Sequence, residues 1–314
     1  MPAGFSAGTM RGRSELLSAL RKNSMSPIDR RSFLVAGAAA LASPMLIRAA
    51  DDAAKFKLGL VTYNVPANWD LPTILKTCKT VGIAAVECRT THKHGVEPTL
   101  NLDERRKVKR QFADAGVVFW GCGSVCEFHA ADDAVVKRNI EDCKKFLDLV
   151  KDLGGQGVKV RPNGVAKGHS VEQACTQIGK ALQACGKAAG DLGLEIWVEV
   201  HGAVTQIPKN MRAIMDTCGH KSVGVTWNSN AADIIDGKLD AGFDLLKGFI
   251  KSCHINDLTN DKTGKYPYRD LFKKLKGIGY DRYTLCEVGK TYEPEAGLKF
   301  LTEYKELWDS LVGA

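Results

Sequence analysis

Short apolar and β-branched runs recur along the chain, separated by stretches whose apolar positions repeat every three or four residues. The short runs predict strands over Lys57–Tyr63, Ala84–Cys88, Val117–Cys122, Gly157–Arg161, Glu195–His201, Val223–Trp227, Ile250–Ile255 and Arg282–Glu287. The intervening stretches predict helices over Leu71–Val81, Asp103–Ala115, Asp132–Leu153, Ser170–Leu192, Lys209–Cys218, Asp240–Lys247, Tyr268–Ile278 and Pro294–Leu311. Gly82, Gly116, Gly154 and Gly193 follow four of these helices, as a left-handed helix exit requires. Strand starts run from 57 to 282, about 32 residues apart, and eight such units fill roughly 250 residues, the size of a (β/α)8 barrel. A doubly wound open sheet has the same alternation. No Gly-x-Gly-x-x-Gly follows the first strand and no Walker loop occurs, so the reading is α/β: a single (β/α)8 TIM barrel over residues 55–314.

The first 54 residues fall outside that pattern. Asp29-Arg30-Arg31-Ser32-Phe33-Leu34 precedes a short apolar run and Ser43-Pro44, which resembles a twin-arginine export signal. The run is too short for the roughly 20 residues that span a bilayer. Residues 1–54 therefore read as export signal and disordered linker, and the mature chain as periplasmic or extracellular with no membrane span. Composition changes the picture little: 314 residues, 44% hydrophobic and 25% charged, exclude a disordered chain or a multi-span membrane protein. The net charge of +8 suggests a polyanion partner at first. Yet residues 1–50 hold seven Lys/Arg against two Asp/Glu, leaving only +3 on the body, so no nucleic-acid partner is expected. Ten cysteines show no Cys-x-x-Cys pair or zinc-like spacing. A protein exported already folded acquires its structure in a reducing compartment, so most read as buried free thiols.

Barrel enzymes carry their chemistry at the C-terminal ends of strands, and polar residues collect there. Strand two ends at Glu87 and Arg89, followed by His92 and His94; strand four ends at Arg161. Strand five carries Glu199 and His201, strand six Asn228, strand seven His254 with Asp257 beyond it, and strand eight Glu287. Side chains alternate across a strand, so Glu199 shares a face with His201 and Glu87 with Arg89. Turned inward, Glu199, Asn228, His254 and Glu287 converge from four consecutive strands. Two carboxylates, an imidazole and an amide oxygen make a divalent-metal cage. Blander roles compete at the other positions: an ion pair of Glu87 with Arg89 or Arg161, exposed loop histidines at 92 and 94, a cap at Asp257.

The motifs Glu199-x-His201-Gly202, Trp227-Asn228-Ser229-Asn230 and His254-x-x-Asp257, with Glu287 on the last strand, resemble the xylose isomerase-like TIM barrel family. This is the group of sugar phosphate isomerases and epimerases also called AP endonuclease 2-like barrels. The segment around Glu87 and Arg89 with His92 and His94 is similar to that of secreted members, and the resemblance covers roughly 56–312. It implies a metal (Mn, Mg, Co or Zn) held by Glu199, Asn228, His254 and Glu287, with Glu199 and Glu287 also the catalytic acid/base pair. Glu87, Arg89, His92, His94, Arg161, His201 and Asp257 then form the substrate-binding set around a sugar. One departure stands out: the family usually has Asp where this chain has Asn228. The amide brings no charge, which implies a weaker metal site, replacement by His201, or no metal.

The leading expectation is an exported sugar isomerase or epimerase acting by metal-assisted proton abstraction beside a carbonyl, or a related lyase. A DNA-repair barrel needs a richer His/Asp set for three zinc ions and a basic face. A metal-free sugar-binding barrel would stack Trp120, Trp197 or Trp227 on sugar. A glycoside hydrolase would use Glu199 and Glu287 as its carboxylate pair. Arg89 and Arg161 are too few to argue for a phosphorylated substrate.

Overall fold

The computed structural model describes residues 53–313. The export reading and the cleavage region therefore lie almost wholly outside the described residues. The eight strands are β1 Lys57–Val61, β2 Ala85–Arg89, β3 Val118–Glu127, β4 Gly157–Arg161, β5 Glu195–Glu199, β6 Val223–Asn228, β7 Ile250–Ile255 and β8 Tyr283–Cys286. All pair in parallel in chain order, and β8 closes on β1 to make a barrel. The helices are α1 Leu71–Val81, α2 Leu102–Ala115, α3 Asp133–Leu153, α4 Val171–Asp191, α5 Pro208–Cys218, α6 Asp240–Leu246, α7 Tyr268–Gly277 and α8 Pro294–Val312. A single helical turn, Asn260–Thr263, follows β7. The chain is thus the single TIM barrel that its alternation predicts. Among the described residues no helix is long and apolar enough to cross a membrane.

Local chemistry sets the helix ends. Asp70 caps α1 through Thr73 N–H, Asn101 and Glu104 form a capping box on α2, and Ser170 with Gln173 does the same on α4. Gly82, Gly116 and Gly154 close α1, α2 and α3 with φ of 83°, 68° and 81°, as expected of left-handed exits.

Strand alternation divides the barrel into two cores. On β5, Ile196 and Val198 face the helices and, with Val200 just beyond the strand, join the large shell core. Trp197 faces the axis and packs with Val61, Ala85, Trp120 and Leu285. Trp120 and Trp197 stack at 4.7 Å. The large indole fits because its neighbours are small: a Cβ on Gly157 would lie 2.8 Å from the Trp197 ring. Below that layer, at the strand starts, Glu195 accepts from Arg282, Lys251 and Trp197 Nε1 at 2.6 to 3.0 Å. The barrel is therefore sealed at its N-terminal end by an ion-paired plug and an aromatic layer. What remains open is the C-terminal end. All ten cysteines are buried and free.

Candidate metal and catalytic centre

One layer above the Trp pair, the inward positions turn from apolar to charged. Glu87 on β2, Lys159 on β4, Glu199 on β5, Asn228 on β6 and His254 on β7 are all buried, and Glu287 follows β8 directly. His254 Nδ1 lies 3.0 Å from Glu287 Oε2 and 3.9 Å from Glu199 Oε1. Its other nitrogen, Nε2, is 3.3 Å from Glu87 Oε2. Lys159 Nζ donates to Glu199 Oε2 at 2.8 Å, and Asn228 Nδ2 donates to Glu199 Oε1 at 3.1 Å. Burial alone would raise Glu199, but the charges of Lys159 and His254 outweigh it and hold the carboxyl down at about 2. Burial would likewise lower His254, yet Glu287 and Glu87 push it up to about 10.

These residues fit a divalent cation. One ligand atom each from Glu199, His254 and Glu287 lies within 4.8 Å of the others. Atoms sharing one ion at about 2.0–2.2 Å sit up to roughly 4.4 Å apart. Asn228 Oδ1 is buried with no partner, a fourth ligand atom without a donor. Glu87, Glu199 and Glu287 against Lys159 leave two formal negative charges when His254 is neutral, which a divalent ion balances. Glu87 takes the outer position typical of such sites, orienting the imidazole by accepting at Nε2 while Nδ1 faces inward. Hard oxygens with one imidazole suit Mg, Mn, Co or Zn.

Above the cluster opens a cavity of about 280 Å³ lined by Tyr63, Asn64, Glu199, His201, Asn228, Asn230, Asn256, Glu287 and Gly289. Its size suits a small molecule, and its walls are mostly hydrogen-bonding groups. A larger groove of about 960 Å³ runs between α3 and α4, lined by helix-surface residues such as Lys137, Gln173 and Lys180. It lies on the outside of the barrel, away from the titratable cluster.

The structure separates the expected substrate-binding residues. His201 lines the cavity with its Nδ1 on Asn163 Oδ1 at 2.9 Å, and it stands outside the Glu199–His254–Glu287 cluster. Glu87 lies on the axis and meets His254 instead of Arg89 or Arg161. Arg89 donates to Thr90 O and covers the Tyr63 ring, against which His92 also stacks. His94 is buried in its own loop: Nε2 contacts Thr62 Oγ1 and Arg89 O, and Nδ1 accepts from Val96 N–H. The expectation that His94 touches substrate is corrected on that ground. Arg161 pairs with Glu127 at the mouth, and Asp257 accepts from Thr259 N–H and Oγ1, the local turn cap that was the bland alternative. Trp120 and Trp197 sit below the charged layer and Trp227 Nε1 donates to Tyr266 OH, so none of the three is available for stacking on a sugar in the cavity.

Sequence reasoning missed Lys159, Glu127 and Asn163. Lys159 carried a signal, a charge at the middle of a strand between two valines. Glu127 and Asn163 stand beyond the predicted strand ends, and only the closed barrel brings them together.

Comparison with known proteins bears on the fold. No curated protein matches the sequence significantly. Among solved structures, 3-keto-D-glucoside 4-epimerase from E. coli superposes with a TM-score of 0.65 at 14% identity, covering 82% of this chain and 100% of the other. D-psicose 3-epimerase from Clostridium cellulolyticum H10, solved with D-tagatose, gives 0.68 at 13% identity over 82% and 99%. The IolI protein, solved with a zinc atom, gives 0.66 at 17% identity over 82% and 98%. The model of one family, the xylose isomerase-like TIM barrel, matches residues 75–304. With the barrel closed in strand order and the match spanning most of it, the chain belongs to the xylose isomerase-like TIM barrel family.

Proposed function

We propose that the protein is an isomerase or epimerase of an unphosphorylated sugar or sugar derivative, acting by metal-assisted proton transfer at a carbon beside a carbonyl. The observation that carries this reading is the convergence of Glu199, His254 and Glu287 at the floor of a small polar cavity. Fold neighbours named as sugar epimerases support it by analogy.

Glu199, Asn228, His254 and Glu287 would hold the cation. When bound, it supplies Lewis-acid polarisation of the carbonyl and charge to offset the developing oxyanion. The proton-moving groups are the two carboxylates. Glu199 already has one oxygen on Lys159 and the other on the Asn228 amide, whereas Glu287 is engaged only through Oε2. Glu287 is therefore the better placed to take the proton. The C–H electron pair becomes the C=C bond of an enediolate, and the carbonyl oxygen takes the charge. Return of a proton to the same carbon from the opposite face, drawn from solvent on the Glu199 side while Glu287 releases its own proton to solvent, inverts the centre. Return of the Glu287 proton to the neighbouring carbon, with the hydroxyl proton passing to the former carbonyl oxygen, transposes the carbonyl. Asn230, Asn256 and His201 offer hydrogen bonds that orient the hydroxyls.

A metal-free sugar-binding barrel has one specific observation in its favour: the Lys159 ammonium already occupies a Glu199 oxygen where a cation would draw on it. Metal analysis of the purified protein, then a screen of keto- and aldo-sugars for interconversion with added Mn²⁺, separates the readings. Stoichiometric metal and a new sugar isomer support the enzyme. Absence of metal after Mn²⁺ incubation, with sugar still bound, supports the binding barrel.

A further inference from the structure

Behind His201 a chain of hydrogen bonds runs away from the cavity to the outer rim. Asn163 Oδ1 meets His201 Nδ1 at 2.9 Å, and Asn163 Nδ2 donates to Glu127 Oε1 at 2.6 Å. Glu127 also accepts from Arg161 on the same oxygen. A carboxylate paired to a guanidinium accepts and does not donate, so it forces the amide of Asn163 to present its NH₂ outward. The amide oxygen must then face His201, and an amide oxygen can only accept. His201 Nδ1 is consequently the protonated nitrogen, and Nε2 keeps its lone pair. Because His201 lines the cavity, that lone pair is the group left for a ligand.

The backbone is shaped to bring these side chains together. Asn163 holds φ of 61°, in the left-handed region that Asn tolerates better than most residues. Gly202, next to His201, has φ of 90°, and a Cβ there would lie 3.0 Å from the Asn163 backbone and 2.6 Å from Thr205 Oγ1. Thr205 Oγ1 in turn donates to the His201 carbonyl at 2.5 Å. Glycine after His201 thus permits the loops following β4 and β5 to approach closely enough for the bond.

We infer that Glu127 and Asn163 are positioning residues that lock His201 in its Nδ1–H tautomer, so that Nε2 is a hydrogen-bond acceptor selecting a substrate hydroxyl. The inference rests on the reading that the cavity takes a polyhydroxylated small molecule. A site built to accept from an O–H discriminates against an analogue whose hydroxyl is missing or methylated, because the acceptor is then left unpaired.

The test is long-range ¹H–¹⁵N spectroscopy of the imidazoles in the metal-free barrel at about pH 8.5, where an unperturbed histidine is neutral. It needs neither substrate nor metal, so it stands or falls apart from the isomerase reading, which metal analysis and the sugar screen decide. Wild-type His201, assigned by its absence in His201→Gln, should show protonated Nδ1 and bare Nε2. Asn163→Gly keeps the positive φ accessible and removes the amide; its His201 should become a mixture of tautomers. The double change Glu127→Gln with Asn163→Asp reverses the bond between the two side chains but keeps an acceptor facing His201, and it should restore the single Nδ1–H form. Protonated Nε2 in the wild type overturns the inference, as does an unchanged tautomer in Asn163→Gly. Should the glycine variant fail to fold, the wild-type and double-variant spectra still decide, since loss of the Nδ1–H form in the double variant also contradicts the relay.

Discussion

At Asn228 the amide donates 3.1 Å to Glu199 Oε1 while Oδ1 is buried without a partner. Asn228→Asp replaces that donor with a second carboxylate against Glu199, a repulsion of about 4 kcal/mol at 4 Å for an effective dielectric of 20. The metal-free variant should therefore melt several degrees lower, with Mn²⁺ reversing the loss and binding at least about tenfold more tightly than to wild type. Calorimetric titration and melting with and without Mn²⁺ check both signs; an unchanged affinity would place residue 228 outside the coordination sphere. His201→Ala should leave Mn²⁺ affinity within about threefold, since His201 stands outside the Glu199–His254–Glu287 cluster. Lys159→Met removes the ammonium from a buried carboxylate, a change that typically costs about 3–5 kcal/mol. Chemical unfolding of the metal-free protein should show a loss of that order, and Mn²⁺ should recover much of it by supplying positive charge to Glu199. Equal stability of variant and wild type without metal would mean that the pair contributes nothing.

At the scale of elements, β5 carries the logic of the barrel: Glu195, Trp197 and Glu199 face inward on one strand and serve plug, core and site in turn. Burial would raise the Glu195 carboxyl, but hydrogen bonds from Arg282, Lys251 and Trp197 bring it down to about 2. A folded-state value below the unfolded one means stability present above about pH 4.5 and lost as pH falls toward 2. Glu195→Gln should be less stable than wild type at neutral pH, with the gap closing across that window; a constant gap from pH 7 to 2 would remove the linkage. The same periodicity made the elements legible in sequence. Helix α1 and strands β4 and β7 have the predicted limits, because capping residues and apolar runs are local signals. The third strand was cut short at Cys122 when it runs to Glu127. A Cβ at Gly123 would meet Glu87 Oε1 at 2.8 Å, so the glycine there makes room for the site. Glu199, Asn228, His254 and Glu287 were readable from strand-end position alone. The Glu127–Asn163 relay was not, since its members meet across strands, and His94 misled because a loop histidine and a ligand-facing one look alike until the loop is folded.

For the whole molecule, the charge divides into a basic first 50 residues and a nearly neutral body. We propose that Arg30-Arg31 directs the folded chain across the membrane. Lys substitution at both should leave the precursor inside the cell in fractionation experiments, and normal export of that variant would dismiss the localisation. Such a route is compatible with ten buried thiols, all free in the fold. The barrel itself is built to bring a charged layer to the floor of a small polar cavity, and the claim that follows is proton transfer at carbon. The most direct test is solvent exchange: the Mn²⁺-loaded protein incubated in D₂O with a panel of ketoses and aldoses, read by proton NMR at the carbons flanking the carbonyl. The account predicts deuterium at one such carbon of at least one sugar, falling by at least about a thousandfold in Glu287→Gln assayed at Mn²⁺ concentrations that saturate the variant. Full metal occupancy with no deuterium in any sugar that binds would contradict it.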